Sequence, residues 1–201
     1  MCKCTNGLRT DLSTSESPVY CQECRAGLAL EIARLDARIA AYDAALVPLA
    51  GHDLKPWQER QEEQLWNARQ HLVRERARLA GNLERRNRGL HLAAAGAVSP
   101  NGGPGCYHVA SASGNGTYLV DTDAHTCTCP DARRGGTCKH TWAAIAYQEG
   151  ERVARAICNR EGLTPGELED RILNDLARGV PSETVADKLT VVLQAARGLA
   201  N

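Results

Sequence analysis

Cys127-Thr128-Cys129-Pro130-Asp131-Ala132-Arg133-Arg134-Gly135-Gly136-Thr137-Cys138-Lys139-His140 places three thiols and one imidazole in a C-x-C-x8-C-x-H spacing. Zinc takes four soft or borderline ligands in a tetrahedron, and thiolates with an imidazole are the usual structural set. Two ligands one residue apart can share an ion across a tight turn. Pro130, Gly135 and Gly136 let the intervening loop fold back, and the second pair opens a helix expected from His140 to about Glu161. Four protein ligands leave no open position for a catalytic water, so the site reads as structural. His125, two residues before Cys127, is the one alternative ligand nearby.

Upstream of this segment, Tyr107-His108-Val109-Ala110-Ser111 and Thr117-Tyr118-Leu119-Val120 flank Ser113-Gly114-Asn115-Gly116. β-Branched and aromatic residues around an Asn-Gly turn predict a β-hairpin. Downstream, Trp142, Ala146, Val153 and Ile157 are expected on one side of the helix. At these residues, about Tyr107 to Tyr147, the chain resembles a SWIM-type zinc finger, down to its Cys-Pro-Asp and Cys-Lys-His pieces. The resemblance implies a ββα fold and Cys127, Cys129, Cys138 and His140 as the ligands. It further implies binding of DNA or proteins, because such fingers occur in chromatin-remodelling ATPases, transposases, ubiquitin ligases and recombination factors. No ATPase or transposase segment accompanies the finger here.

Further upstream, Leu28, Ile32, Leu35, Ile39, Tyr42 and Leu46 step by four and three, the spacing of a coiled-coil seam. Pro48, Gly51 and Pro56 interrupt it. A second helix follows from about Trp57 to Leu92, with Leu65, Leu72, Leu79, Leu83 and Leu90 as its stripe. A short loop between two long amphipathic helices predicts an antiparallel hairpin. Its seam serves either to cover the two helices' own apolar stripes or to dock a protein partner or a second copy as a homodimer. Ala93 to Gly105, small residues with glycines and prolines, reads as a linker.

The expected class is mainly α with a small zinc-finger insert: residues 1–25 a cysteine knuckle, 26–92 a helical hairpin, 93–105 a linker, 106–161 the finger, and 162–201 a helical pair. In the last segment, Thr164-Pro165-Gly166-Glu167 is a capping box, with Leu168, Ile172 and Leu176 inward. Ser182 caps the final helix, whose inner face is Val185, Leu189, Val192, Ala196 and Leu199. Those two helices carry no visible chemistry.

Nine cysteines in 201 residues outnumber what the finger uses. Cys2-x-Cys4 and Cys21-x-x-Cys24 bracket a polar loop and read as a second, Cys4 zinc site, with an iron–sulfur cluster or unligated thiols as alternatives. Cys106 and Cys158 are left over as small buried hydrophobes or free thiols. No apolar h-region follows Met1, so a signal peptide is not expected. The apolar runs fall short of a membrane span. Reduced, clustered cysteines then point to a cytoplasmic protein.

Basic and acidic residues balance at 24 each, and filling two thiolate sites would make the total negative. Nucleic-acid binding therefore needs a local patch. Arg69, Arg74, Arg76, Arg78, Arg85, Arg86 and Arg88 face only Glu75 and Glu84 along the second helix. They read either as a phosphate-binding strip or as a solvated face paired with the partner helix. Arg133, Arg134 and Lys139 add basic groups on the finger, and Tyr107, Tyr118 and Trp142 offer rings for base stacking or for the core. No Gly-rich phosphate loop, H-E-x-x-H or G-x-S-x-G occurs. The expectation is a non-enzymatic zinc module that binds DNA or RNA through Arg74, Arg78, Arg85, Arg86, Arg88, Arg133, Arg134 and Lys139. A protein adaptor working through the hairpin is the alternative.

Overall fold

A computed structural model describes residues 4–5, 8–9, 25–50, 54–114, 116–135, 137–179 and 183–200. The chain divides into two compact units, Met1–Glu84 and Arg85–Asn201.

In the first unit, strands β1 (Cys4–Thr5) and β2 (Leu8–Arg9) pair antiparallel ahead of helix α1 (Arg25–Leu46). Pro48 sits in a short 3₁₀ turn at Val47–Leu49, and helix α2 runs from Pro56 to Ala94. Leu28 and Leu35 of α1 bury against Leu72 and Leu79 of α2, with Ile32, Ile39, Tyr42 and Leu83 packed around them. Arg69 holds Asp43 at 2.5 Å and Arg76 holds Asp36 at 2.7 Å. Later residues on one helix pair with earlier ones on the other, so the hairpin is antiparallel. These exposed ion pairs contribute little, because solvent screens them. The buried leucines contribute roughly 1.5–3 kcal/mol apiece and decide the packing.

The second unit begins in the last turns of α2. A Schellman motif ends that helix: Gly96, at φ 72°, donates its N–H to Ala93 O, and Ala97 N–H reaches Leu92 O. The chain then turns directly into β3 (Val98–Pro100), which pairs with β4 (Cys106–Ala110). The expected linker at 93–105 is thus corrected. Ala93 and Val98 are core residues of the finger, and only 101–105 remain as the connecting turn. Small residues and prolines misled here because they also suit a helix cap and an edge strand.

β5 (Thr117–Asp121) and β6 (Thr126–Cys127) complete an antiparallel sheet of order β3-β4-β5-β6. Helix α3 (Pro130–Arg133), α4 (Lys139–Glu161), α5 (Pro165–Ala177) and α6 (Glu183–Ala200) follow. The structure is mainly α with a small antiparallel sheet, in which β3 and β6 stand beside the hairpin that the resemblance implied. One core joins Val98, Tyr107, Val109 and Val120 of the sheet to Ala143, Ala144 and Tyr147 of α4 and to Val191 and Ala195 of α6. A second core lies between α4, α5 and α6, around Ala154, Leu168, Ile172, Leu193 and Ala196. Tyr107 donates its hydroxyl to Glu151 at 3.1 Å, and burial together with that carboxylate pushes the phenol's pKa well up.

The buried face of α4 is His140, Thr141, Ala143, Ala144, Tyr147, Gly150 and Ala154, with Ala146 and Ile157 partly buried against the two cores. Small residues let α6 approach closely: a Cβ on Gly150 would stand 2.9 Å from Val191 Cγ1. α6 accordingly serves both cores.

The capping box at α5 is present as read, with Glu167 N–H on Thr164 Oγ1 at 3.3 Å and Thr164 N–H on Glu167 Oε2 at 2.8 Å. Thr164→Ala is expected to lower stability by about 1 kcal/mol, measurable as a shifted urea midpoint at constant slope. An unchanged midpoint would mean the box adds nothing. Among the described residues, no helix is long and apolar enough to cross a membrane.

Candidate metal centre

Strand register aims the first two ligands. Tyr107 pairs with Val120 and Val120 with Cys127, so these three stand on one face of the sheet. Val109 pairs with Tyr118 on the same face, the one packed against α4. Tyr118 and Cys127 therefore project toward the start of α4, where Cys138 and His140 sit. The Tyr118 ring lies on the His140 imidazole, centroids 4.6 Å apart. Thr128 continues the pairing beyond β6. Its N–H reaches Leu119 O at 3.0 Å, and its Oγ1 receives Leu119 N–H at 3.0 Å.

Helix starts hold the other sulfurs. Cys129 caps α3 and accepts Ala132 N–H at 3.4 Å. Cys138 caps α4, accepting Thr141 N–H at 3.4 Å beside the Thr141 hydroxyl at 3.3 Å. Amides directed at sulfur favour the thiolate over the thiol.

The ligand atoms of Cys127, Cys129, Cys138 and His140 all lie within 4.8 Å of one another. Cys129, Cys138 and His140 are buried, and Cys127 is half-buried. His140 Nδ1 stands 3.9 Å from Cys138 Sγ. His140 Nε2 is buried with no hydrogen-bond partner among the described residues. Three packed sulfurs repel each other as anions. The hydrogen bond from Cys127, with those from His140 and Thr141, holds the Cys138 thiol down to about 2. That same bond pushes Cys127 up, and burial pushes Cys129 up. A dication held between the sulfurs would let all three ionise. The thiol-rich donor set and the closeness of its four ligand atoms fit zinc.

His125 is not one of the four: it is exposed in the β5–β6 turn, at φ 53°. Of the expected second site, Cys2, Cys21 and Cys24 lie outside the described residues, and only the backbone of Cys4, in β1, is described.

The basic residues separate into two groups. In the first unit, Arg78 is held by Glu75 at 2.6 Å, and Arg74 donates to Gln70 O at 3.2 Å. With Arg69 and Arg76 on the α1 aspartates, this part of the strip is largely a solvated face paired with carboxylates. In the second unit, Arg85, Arg86 and Arg88 belong to the last turns of α2, which contact the start of α4. A Cβ on Gly89 would meet Lys139 O at 2.8 Å. The Arg86 guanidinium lies 4.4 Å over the Trp142 ring. Arg133 and Arg134 are exposed beside α3, and Lys139 stands between two ligands. Tyr107 is core, so of the three rings considered for stacking it is excluded.

A sulfur- and imidazole-lined quartet, gripped by a sheet edge and two helix starts, defines a zinc-binding finger. Residues 117–149 match the SWIM zinc finger family, and the four residues brought together are those of its C-x-C…C-x-H pattern. The chain thus carries a SWIM zinc finger with one zinc site. No curated protein and no solved structure matches the chain.

Proposed function

We propose that the second unit is a nucleic-acid-binding module in which the zinc finger and the end of α2 form one basic face. The observation that carries this reading is the close seat of α2 on α4 at Gly89. It puts Arg85, Arg86 and Arg88 on the same body as Arg133, Arg134 and Lys139. Phosphate contacts need such local charge, because the chain as a whole is neutral. Zinc acts structurally, holding the loop that carries Arg133 and Arg134.

The test is fluorescence anisotropy of zinc-loaded protein with single-stranded DNA, duplex DNA and RNA across a salt series. Binding is expected to weaken steeply with salt. Arg85→Ala with Arg88→Ala should flatten the log K against log salt slope by roughly 1.4–1.8, two phosphate contacts at about 0.7–0.9 each. An unchanged slope would remove α2 from the interface.

A second reading, docking of a protein partner or a second copy on the first unit, is favoured by its exposed apolar residues. Val47, Trp57 and Trp66 are 72%, 56% and 51% exposed. Absence of nucleic-acid binding even at low salt would move the function to that surface.

A further inference from the structure

The geometry points to Cys127 as the exchangeable ligand of the zinc centre, the sulfur through which a soft electrophile opens the finger, and to the Thr141 hydroxyl as the group that withholds Cys138. This rests on the zinc assignment above.

The three sulfurs are unequally protected. Cys138 is 1% exposed and is flanked by both the amide and the hydroxyl of Thr141, at 3.4 and 3.3 Å. Thr141 is itself 1% exposed. A buried hydroxyl beside a metal thiolate, which only accepts, must donate to it. Cys129 is also 1% exposed and accepts the Ala132 amide at 3.4 Å. Cys127 is half-buried, and among the described residues its sulfur accepts only the longer contact from Cys129 N–H, at 3.5 Å. Hydrogen bonds to a thiolate withdraw the lone-pair density that attacks an electrophile, and burial denies the electrophile access. Both effects rank the sulfurs alike: Cys127 reacts first, and Cys138 last.

With iodoacetamide the Cys127 thiolate attacks the methylene carbon. An S–C bond forms, the C–I bond breaks, iodide leaves, and no proton moves. The thioether is a poor zinc ligand, so the metal loses one of four attachments. Cys127 ends the two-residue strand β6, so it leaves with the least disruption of the sheet. Cys138, at the head of α4, is the anchor.

The experiment treats zinc-loaded full-length protein with sub-stoichiometric iodoacetamide and maps the first-labelled ligand cysteine by peptide mass spectrometry. Zinc content is measured beforehand, so a failure of the zinc reading shows itself separately as absent metal. Cys127 should be labelled faster than Cys129 or Cys138 by at least about fivefold, the rate equivalent of one modest hydrogen bond. Thr141→Val should raise labelling of Cys138 and shift the sulfur-to-metal charge-transfer band of the cobalt-substituted protein. Thr141→Ser should restore both. Equal labelling of all three sulfurs in metal-loaded wild type, or first labelling at Cys138, would overturn the assignment of Cys127. If Thr141→Val does not fold, the wild-type map still decides. An unshifted cobalt band in a folded Thr141→Val protein would remove Thr141 from the account.

Discussion

Cys138→Ser is expected to empty the zinc site and disorder residues 123–138 while leaving the packing of α4, α5 and α6 in place. The loop has little else to hold it. β6 is two residues long, and α3 buries none of its four residues. Ordering some fifteen residues costs about 1–2 kcal/mol each. Zinc binding supplies an apparent ~10–16 kcal/mol to finger peptides, a large part of what offsets that cost. Removing the metal therefore removes the main term on the favourable side. The second core, around Ala154, Leu168, Ile172, Leu193 and Ala196, contains no loop residue. Far-UV circular dichroism should keep most of its helical signal. Trypsin should cut after Arg133 and Arg134 on the order of 100-fold faster, as local opening becomes favourable. Chelator treatment of the wild type should reproduce the pattern. Full zinc content with unchanged proteolysis in Cys138→Ser would refute the structural role of the metal.

The centre was legible because metal coordination is encoded in side-chain identity and short spacing. Cys127, Cys129, Cys138 and His140 need only be close and correctly typed, whatever surrounds them. The hairpin of α1 and α2 was legible for a similar reason: large aliphatic residues at steps of three and four leave one dominant way to bury them. What escaped was built from small residues. Ala93, Ala143, Ala144, Gly150, Ala154 and Ala195 give little periodic hydrophobic signal, yet they allow the close helix approaches in the second unit. Strand β3 was missed because Val98-Ser99-Pro100 is too short to show alternation. Its place depends on pairing with Val109, His108 and Tyr107, which no local pattern announces. The arginine strip left two readings open, a phosphate-binding surface or a solvated face paired with the partner helix. Whether Arg69 and Arg76 are available to phosphate depends on Asp43 and Asp36, distant in sequence and brought near only by the hairpin.

The same close packing gives the second large expected effect. Gly89→Ala should destabilise the second unit by about 1–3 kcal/mol and weaken nucleic-acid binding without loss of zinc. Alanine is the better helix former by up to about 1 kcal/mol, so propensity alone predicts stabilisation. Packing outweighs it here. The new Cβ would lie 2.5 Å from Trp142 Cβ, 2.8 Å from Lys139 O and 2.9 Å from Ala143 N. Two of those atoms are backbone in the first turn of α4, which Cys138 and His140 fix to the metal, so they cannot yield as a flexible side chain would. The last turns of α2 must lift instead. Arg86 would leave the Trp142 ring. Gly166→Ala is the matched control, because nothing lies within 4 Å of a Cβ there. In that helix start the same substitution should stabilise by a few tenths of a kcal/mol, up to about 1. Thermal melts of both variants, with zinc content and anisotropy measured on each, separate the cases. If Gly89→Ala melts at or above the wild-type temperature and binds nucleic acid unchanged, then α2 is not seated on α4 in solution, and the basic face divides into two independent patches.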